Sequence, residues 1–386
     1  RGPRLLAVAV ATWVAGWLLA LLLAPDGAIQ GRFDDGGVYY LAGRAFLLGQ
    51  NYFASPDFRQ WPLLAALWAP VALLPPGLAM RAWMLFMLAA LIGSVALLLR
   101  ERDYFRERPA ARWLILAVAG PPALDMLYLG QMSGACFAAY ATGLALLRRR
   151  PVLAGCCFAL MAAKPHLVLL ALPVLTTAEL PAVLAFAGAM LVWPIGSLLV
   201  AGPAVFRAFV VQLYAVRDTN VGLVTSSLSS LLPLQGGLHE VVQAGLLLTL
   251  LIGCGVLAMR RLRHGRRLPP ADVDLATALV LAALPYALVS DLLFLLPLLL
   301  RLGPRRNPAA WWPMLAWWTL PWLATLLNTK GGGGLAALLP PLVAVAGWRL
   351  FGSGRRDAAL PFPLPSLFRR PRLQVAERAA GDLSLQ

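Results

Sequence analysis

Charged side chains are scarce in this sequence. Only 13% of its 386 residues are Asp, Glu, Lys or Arg, whereas a soluble domain carries about a quarter. Hydrophobic residues make up 60% of the chain, and its mean hydropathy is +0.74. A fold in water could not hide so much apolar surface, so this composition excludes a soluble protein and predicts that lipid is the solvent.

Acidic residues and lysine are rarer still. The chain has 17 acidic against 33 basic residues, a net charge of +16, and its lysines are Lys164 and Lys330 alone. The arginines stand in short clusters between apolar runs, as at 148–150 and 260–263, and they form no single basic face or domain. We therefore exclude nucleic acid as a partner. Such clusters indicate cytoplasmic loops between membrane spans.

Cysteine and histidine are too few and too scattered to build a cross-linked or metal-bound structure. The four cysteines lie within apolar runs, where they behave as small buried residues. The three histidines have no spacing typical of metal ligands. The sequence therefore predicts no disulfide framework, no metal and no other cofactor.

Apolar runs of helical length recur along the whole chain. They predict an all-α, polytopic membrane protein with about twelve transmembrane helices, both termini in the cytoplasm and one transmembrane domain over residues 1–350. The predicted spans are Leu5–Leu23, Met80–Leu99, Trp113–Met126, Gln131–Leu147, Val152–Ala163, His166–Leu175, Val183–Val200, Val241–Met259, Leu275–Val289, Leu292–Leu300, Trp311–Leu327 and Leu335–Trp348.

Three segments need separate interpretation. The first run has a basic start, as a signal peptide has, but its apolar core is longer, so we predict an uncleaved first helix. From Ala24 to Trp61 lies a polar outer stretch, in which the apolar residues after Asp35 recur at helical spacing. The run Pro62–Leu74 is apolar but short, and it could either cross the membrane or lie at its surface. Both are predicted to be juxtamembrane helices. The tail at 351–386, rich in Pro and Arg, is predicted to be disordered, cytoplasmic and in contact with anionic lipid.

Ionisable groups near the hydrocarbon are costly, so those that gather on one side are candidates for function. On the predicted outer side these are Asp34, Asp35, Asp125, Lys164, His166 and Asp291, with Gln131 beside them. Each has a structural alternative. An Asp at 34 or 35 can cap a helix, Lys164 can extend to the interface, Asp125 can stabilise a turn, and Asp291 can cap the following helix.

Four short motifs carry a resemblance to a known family. Residues 35–42, Asp-Gly-Gly-Val-Tyr-Tyr-Leu-Ala, resemble a family pattern Asp-x-x-Val-Tyr-Tyr-x-Ala, and Trp61-Pro62-Leu63-Leu64 resembles Tyr-Pro-Pro-Leu. Gly130-Gln131, Ala154-Gly155 and Lys164-Pro165 resemble a Gly-Gln, Gly, Lys-Pro series. Pro285-Tyr286 with Ser290-Asp291-Leu292 resembles Pro-Tyr followed by Tyr-Asp-Leu. In this order, over about residues 30 to 300, they resemble glycosyltransferase family 87.

The resemblance implies a GT-C-type membrane fold and a polyprenyl-phosphate-linked sugar, mannose, as the donor. It implies that Asp35 is the catalytic base and that Lys164 meets the donor phosphate. Other residues implied to bind substrate are Asp34, Tyr39, Gln131, His166 and Asp291. The departures at Trp61 and Ser290 leave the acceptor, a lipid or a glycan of the cell envelope, open. The expected location is the bacterial plasma membrane, with the active site facing outward.

Two other functions remain open at this point. A transporter or lipid flippase also needs many spans, broken helices and ionisable groups in the membrane. Against it, the two halves of the chain show no internal repeat, and the polar residues gather near one face rather than at the midplane. A non-catalytic scaffold for an envelope assembly would bind a lipid-linked sugar without turnover.

Overall fold

Helices account for the regular structure of this protein. The computed structural model describes residues 2–24, 34–54, 58–101, 118–215, 237–264, 270–284, 287–302, 311–328 and 337–346. No strand occurs in these ranges, so the predicted all-α class is confirmed. The predicted tail at 351–386, residues 285–286 and most of the loop before Asp34 lie outside the described residues.

The α-helices of these ranges are numbered in chain order. They are α1 (Gly2–Leu23), α2 (Asp34–Leu47), α3 (Pro62–Ala72), α4 (Pro76–Arg100), α5 (Pro121–Leu129), α6 (Ser133–Leu146), α7 (Pro151–Leu160), α8 (Leu172–Leu175), α9 (Leu180–Met190), α10 (Val192–Ala215), α11 (Gly237–His264), α12 (Pro270–Ala283), α13 (Leu296–Leu302), α14 (Trp311–Asn328) and α15 (339–346). Short 3-10 helices cover Tyr52–Ala54, Met161–Ala163, Pro165–Ala171 and Val289–Leu295.

Proline marks where many of these helices begin. It occupies the first turn of α3, α4, α5 and α7, where its fixed φ suits the helix and its missing N–H is not needed. The left-handed Gly130 ends α5 at φ 67°, a conformation that glycine adopts without strain. The chain is thus cut into short helices by residues visible in the sequence.

Two helical segments are long and apolar enough to cross a membrane among the described residues. One is Pro76–Arg100, and the other is Leu180–Gln212, which joins α9 to most of α10. The remaining apolar helices, such as α3, α6 and α7, are shorter. The predicted number of twelve spans is therefore not confirmed and stays a prediction.

The outer-loop helices α2 and α3 pack closely on each other. The backbone of Gly43 lies so near Trp68 that an added Cβ would come within 2.9 Å of its carbonyl carbon. The Tyr39 ring lies 5.6 Å from the Trp68 ring, and Tyr40 donates a hydrogen bond from its hydroxyl to the Leu74 carbonyl at 3.0 Å. With 11 residues, α3 is about 16 Å long, too short to cross the bilayer alone.

Helices α7 and α9 lie side by side in a contact that requires glycine. A Cβ on Gly155 would come within 2.1 Å of the Ala182 carbonyl oxygen. One turn further along α7, the Ala159 carbonyl accepts a hydrogen bond from the Trp193 indole at 2.9 Å. Trp193 lies in α10, so the helix that follows α9 also contacts α7.

The segment after Val200 differs from the prediction. We expected a long loop from Gly202 to Gly237, but α10 continues to Ala215. The helical path is broken at Gly202, whose φ of 76° and ψ of 170° are followed by Pro203. A glycine in this conformation and a proline without an N–H interrupt the helix without ending it. Residues 216–236 lie outside the described part of the chain.

Two arginine contacts fix the ends of helices. Arg81 in α4 donates hydrogen bonds to the carbonyls of Leu22 at 3.0 Å and Ala24 at 2.7 Å, which satisfies the end of α1. Arg301 in α13 pairs with the buried Asp274 in α12. Because α12 and α13 are thereby joined at this end, the 3-10 helix between them stands at the opposite end, where the candidate site lies.

Candidate functional site

Asp35 and Gln131 meet, although 96 positions separate them in the sequence. Asp35 lies in the first turn of α2 and is half-buried. The amide Nε2 of Gln131, a residue only 1% exposed, donates a hydrogen bond to its Oδ2. The other amide atom of Gln131, Oε1, is buried without a hydrogen-bond partner among the described residues. A buried amide therefore orients the carboxylate of a half-buried residue.

Lys164 forms a buried ion pair with Asp291. Its Nζ lies 2.8 Å from Asp291 Oδ1 and 3.1 Å from Ser133 Oγ. The Ser133 hydroxyl donates a hydrogen bond to the same Asp291 oxygen at 2.6 Å. Lys164 is 2% exposed and Asp291 is fully buried. Lys164 thus does not extend to the interface, and the alternative raised for it from the sequence is wrong.

The second oxygen of Asp291 has two further partners. Oδ2 accepts a hydrogen bond from the Leu288 N–H at 2.9 Å and lies 3.4 Å from His166 Nε2. Asp291 stands between two predicted spans. Burial alone would raise the pKa of its carboxyl, but the Lys164 ammonium and the hydrogen bond from His166 outweigh burial and hold that pKa well below its usual range. Asp291 both caps the 3-10 helix at 289–295 and serves as counter-ion.

Asp125 connects α5 to the same region. Its Oδ2 accepts a hydrogen bond from the Ser290 N–H at 3.0 Å. It lies close enough to Asp35, Lys164 and Asp291 for their charges to act on it. Asp125 therefore bonds a distant segment of the chain. The turn-stabilising role that the sequence had offered as an alternative is not the contact seen here. The four charged groups share one end of the molecule.

Local chain chemistry explains why Lys164 lies where it does. Pro165 disfavours a helical conformation for the residue before it, and Lys164 is extended at φ −109° and ψ 100°. The helical path of α7 and the 3-10 turn Met161–Ala163 stops there. The lysine side chain can therefore turn toward Asp291, which lies 127 positions away in the sequence.

The predicted site residues fall into two groups. Gln131 bonds Asp35, Lys164 and His166 bond Asp291, and the charges of Asp35, Lys164 and Asp291 all act on Asp125. Tyr39 is 3% exposed, and its ring packs against Trp68 in α3. For Asp34 the structure describes the backbone, which begins α2, and its side chain lies outside the described residues.

The sequence reasoning gave no role in the site to two residues, one that contacts this group and one that contacts the turn before Lys164. Ser133 bonds both members of the ion pair, and Trp61 donates a hydrogen bond from its indole to the Ala162 carbonyl at 2.8 Å. Ser133 stands two positions after Gln131, and this proximity was the one feature of the sequence that could have indicated it. Among the described residues, no group of three His, Cys, Asp or Glu side chains could hold a metal ion.

Comparison with known proteins identifies the family. The sequence profile of glycosyltransferase family 87 matches residues 62–290. This range includes Gln131, Lys164 and His166, begins after Asp35 and ends one residue before Asp291. No curated protein matches the chain significantly. Because the profile covers more than half of the sequence, this chain belongs to glycosyltransferase family 87.

Proposed function

We propose that this glycosyltransferase takes its sugar, mannose, from a polyprenyl phosphate and transfers it to a lipid or glycan acceptor at the outer face of the plasma membrane. The observation that carries the proposal is the position of Asp35. Asp35 is half-buried, its carboxylate is oriented by the buried Gln131, and it shares one end of the molecule with Lys164 and His166. A base and a cationic group close together are what displacement of a phosphate requires.

In the proposed reaction, the acceptor hydroxyl attacks the anomeric carbon and its proton passes to Asp35. The bond between the anomeric carbon and the phosphate oxygen breaks, and the bonding pair leaves with the lipid phosphate. The substitution is direct, so the anomeric configuration inverts. Positive charge near the phosphate oxygen stabilises the negative charge that grows there in the transition state.

Lys164 supplies this charge, and His166 is a second polar contact for the phosphate. In this structure Lys164 is neutralised by Asp291 and is 2% exposed, whereas the His166 side chain is 17% exposed. His166 is therefore the nearer contact for an incoming phosphate. Lys164 reaches the phosphate when it exchanges one of its two oxygen partners for a phosphate oxygen. Gln131, Asp291 and the first turn of α2 complete the proposed substrate site.

Membership of a glycosyltransferase family favours this proposal over a transporter and over a non-catalytic scaffold. The lipid-linked donor also accounts for the membrane body, because an apolar tail can lie along lipid-facing helices while phosphate and sugar reach the polar end. Leu180–Gln212 offers such a surface, since only 11% of its most apolar stretch is buried.

The decisive experiment measures transfer with purified protein in liposomes. Radiolabelled polyprenyl-phosphate-mannose and an envelope lipid extract are supplied to wild type, Asp35→Asn and Asp272→Asn. We expect Asp35→Asn to fold normally and to lose transfer by roughly 10²–10⁴-fold, the usual contribution of a general base. Asp272, a carboxylate in the first turn of α12, serves as the matched control and should leave the rate unchanged.

Two results would contradict the proposal. Full activity of Asp35→Asn would remove Asp35 as the base. A product that retains the anomeric configuration of the donor would remove direct displacement. If wild type transfers another lipid-linked sugar but not mannose, only the choice of sugar is wrong.

A further inference from the structure

The Ala162 carbonyl needs a hydrogen-bond donor that its own helix cannot supply. In the 3-10 turn around Met161–Ala163, its next donor along the chain would be the N–H of residue 165. That residue is proline, which has no N–H. Ala162 is fully buried, so water cannot satisfy the carbonyl either.

Trp61 supplies this missing donor from the outer loop. Its indole Nε1 donates a hydrogen bond to the Ala162 carbonyl at 2.8 Å. Trp61 immediately precedes α3, which packs on the Asp35-bearing helix α2. Its ring lies 4.9 Å from the Phe209 ring and 6.4 Å from the Trp193 ring, both in α10. The Trp61 indole therefore packs against two aromatic rings of α10.

A second indole supports the same segment one turn earlier. Trp193 donates a hydrogen bond to the Ala159 carbonyl at 2.9 Å, and it is 5% exposed. The two indoles thus hold the last turns of the segment that ends at Lys164. The Lys164 side chain extends from the end of this segment to Asp291. The location of its ammonium therefore depends on where the backbone of residues 159–164 is held.

We propose that Trp61 is a positioning residue, which fixes the Lys164 ammonium relative to Asp35 by replacing the backbone donor that Pro165 lacks. This inference deepens the proposed function and rests on it for the role of Lys164. Trp61 contacts the backbone next to the lysine and not the reacting atoms. Its removal should loosen the turn and leave Asp35 with its Gln131 partner.

The experiment labels lysine amines, because the chain has only two lysines, Lys164 and Lys330. Wild type and Trp61→Phe, each in lipid nanodiscs, are treated with a water-soluble amine-reactive reagent, and modification of Lys164 is followed by mass spectrometry. Each signal is normalised to the same peptide from unfolded protein. Phe keeps an aromatic ring between α3 and α10 but has no N–H. We expect Lys164 to react roughly tenfold faster in Trp61→Phe, the equivalent of one hydrogen bond lost at a buried group.

The matched control is Trp83→Phe. Trp83 also donates an indole hydrogen bond to a carbonyl, that of Gly130 at 2.8 Å, but not in the Lys164 segment. Its variant should leave the reactivity of Lys164 at the wild-type value. Equal reactivity of Lys164 in wild type and Trp61→Phe would overturn the inference. So would an equal increase in both variants, because that would show general loosening.

Transfer kinetics give a second measurement. A general loss of stability would not change the KM of one substrate alone. Trp61→Phe should raise KM for the lipid-linked donor about tenfold and leave KM for the acceptor unchanged, because Lys164 faces the donor phosphate and Asp35 the acceptor. An unchanged donor KM overturns the inference. Failure of the proposed function is a separate result, because wild type would then transfer nothing from polyprenyl-phosphate-mannose. The labelling of Lys164 would still decide whether Trp61 positions this lysine.

Discussion

At the scale of single residues, the site depends on two opposite charges that are hidden from water together. Lys164 and Asp291 are 2% and 0% exposed, and each would be strongly disfavoured in this place without the other. Ser133, His166 and the Leu288 N–H complete their hydrogen bonds. The pair is therefore a structural element as well as the proposed source of positive charge.

These two roles can be separated by mutation. Lys164→Met leaves the Asp291 charge buried without its ammonium partner, so we expect it to destabilise the protein by about 3–5 kcal/mol. The double variant Lys164→Met with Asp291→Asn removes both charges and should recover most of that loss. Transfer should stay low in both variants. Thermal unfolding in detergent and the liposome transfer assay measure the two effects.

The outcome distinguishes structure from chemistry. A double variant that regains both stability and activity would show that Lys164 has no role at the phosphate. If Lys164→Met unfolds at the wild-type temperature, the ion pair contributes nothing to stability, contrary to its burial.

The sequence predicted which polar residues gather here but not how they pair. Asp35, Gln131, Lys164 and Asp291 stood out because ionisable and polar groups are rare in an apolar chain. Their partners could not be predicted, since the Lys164–Asp291 contact joins positions 127 apart and depends on packing of the 3-10 helix at 289–295 against α6. Trp61 was noticed only as a departure from a family pattern, and its carbonyl partner has no signal in the sequence.

At the scale of helices, close contact between α7 and α9 depends on a missing side chain. The Cβ of any other residue at 155 would meet the Ala182 carbonyl at 2.1 Å and the Phe186 nitrogen at 2.8 Å. Both are backbone atoms, which cannot rotate away as a side chain can. The helices would have to separate, and the Ala159–Trp193 hydrogen bond would stretch with them.

We therefore expect Gly155→Ala to destabilise the protein, by roughly 1–3 kcal/mol as for other overpacked sites. Gly188→Ala is the matched control, because it lies in α9 with nothing within 4 Å of an added Cβ. Alanine also favours the helix over glycine, so Gly188→Ala should be neutral or slightly stabilising. Denaturation curves of both variants in detergent provide the comparison. Equal stability of the two variants would contradict the tight α7–α9 contact.

Helix beginnings were easier to predict than helix continuation. Proline near the start of α3, α4, α5 and α7 is a local signal with a local cause. Beyond Val200 the sequence contains Gly202-Pro203, which usually ends a helix, and we expected a loop. The helix resumes after the break because Phe209 packs between Phe53 and Trp61, with ring centroids 6.0 and 4.9 Å away. Such contacts between distant segments are not visible in a local pattern.

At the scale of the whole molecule, the distribution of arginine defines an orientation. Arg149 in the cluster at 148–150 has a side chain that is 69% exposed, and Asn51 in the predicted outer loop is also exposed. Cytoplasmic loops of membrane proteins are rich in arginine and lysine. The two positions should therefore lie on opposite sides of the membrane, with Asn51 on the side of the site.

Single-cysteine variants test this orientation. With the native cysteines replaced, Asn51→Cys should react in intact cells with a maleimide that does not cross membranes. Arg149→Cys should react only after the membrane is permeabilised. Labelling of Arg149→Cys from outside would reverse the orientation and place the site in the cytoplasm.

The break at Gly202 has a consequence for the lipids around the enzyme. Leu180–Gln212 has 33 residues, about 50 Å of helix, against a hydrocarbon layer of about 30 Å. A helix longer than the hydrocarbon layer tilts, kinks or thickens the bilayer locally, and the break at Gly202 gives this stretch a place to kink. Since Phe209 contacts Trp61, a thicker or thinner bilayer would press directly on the indole beside Lys164, which makes acyl-chain length a variable of the reaction.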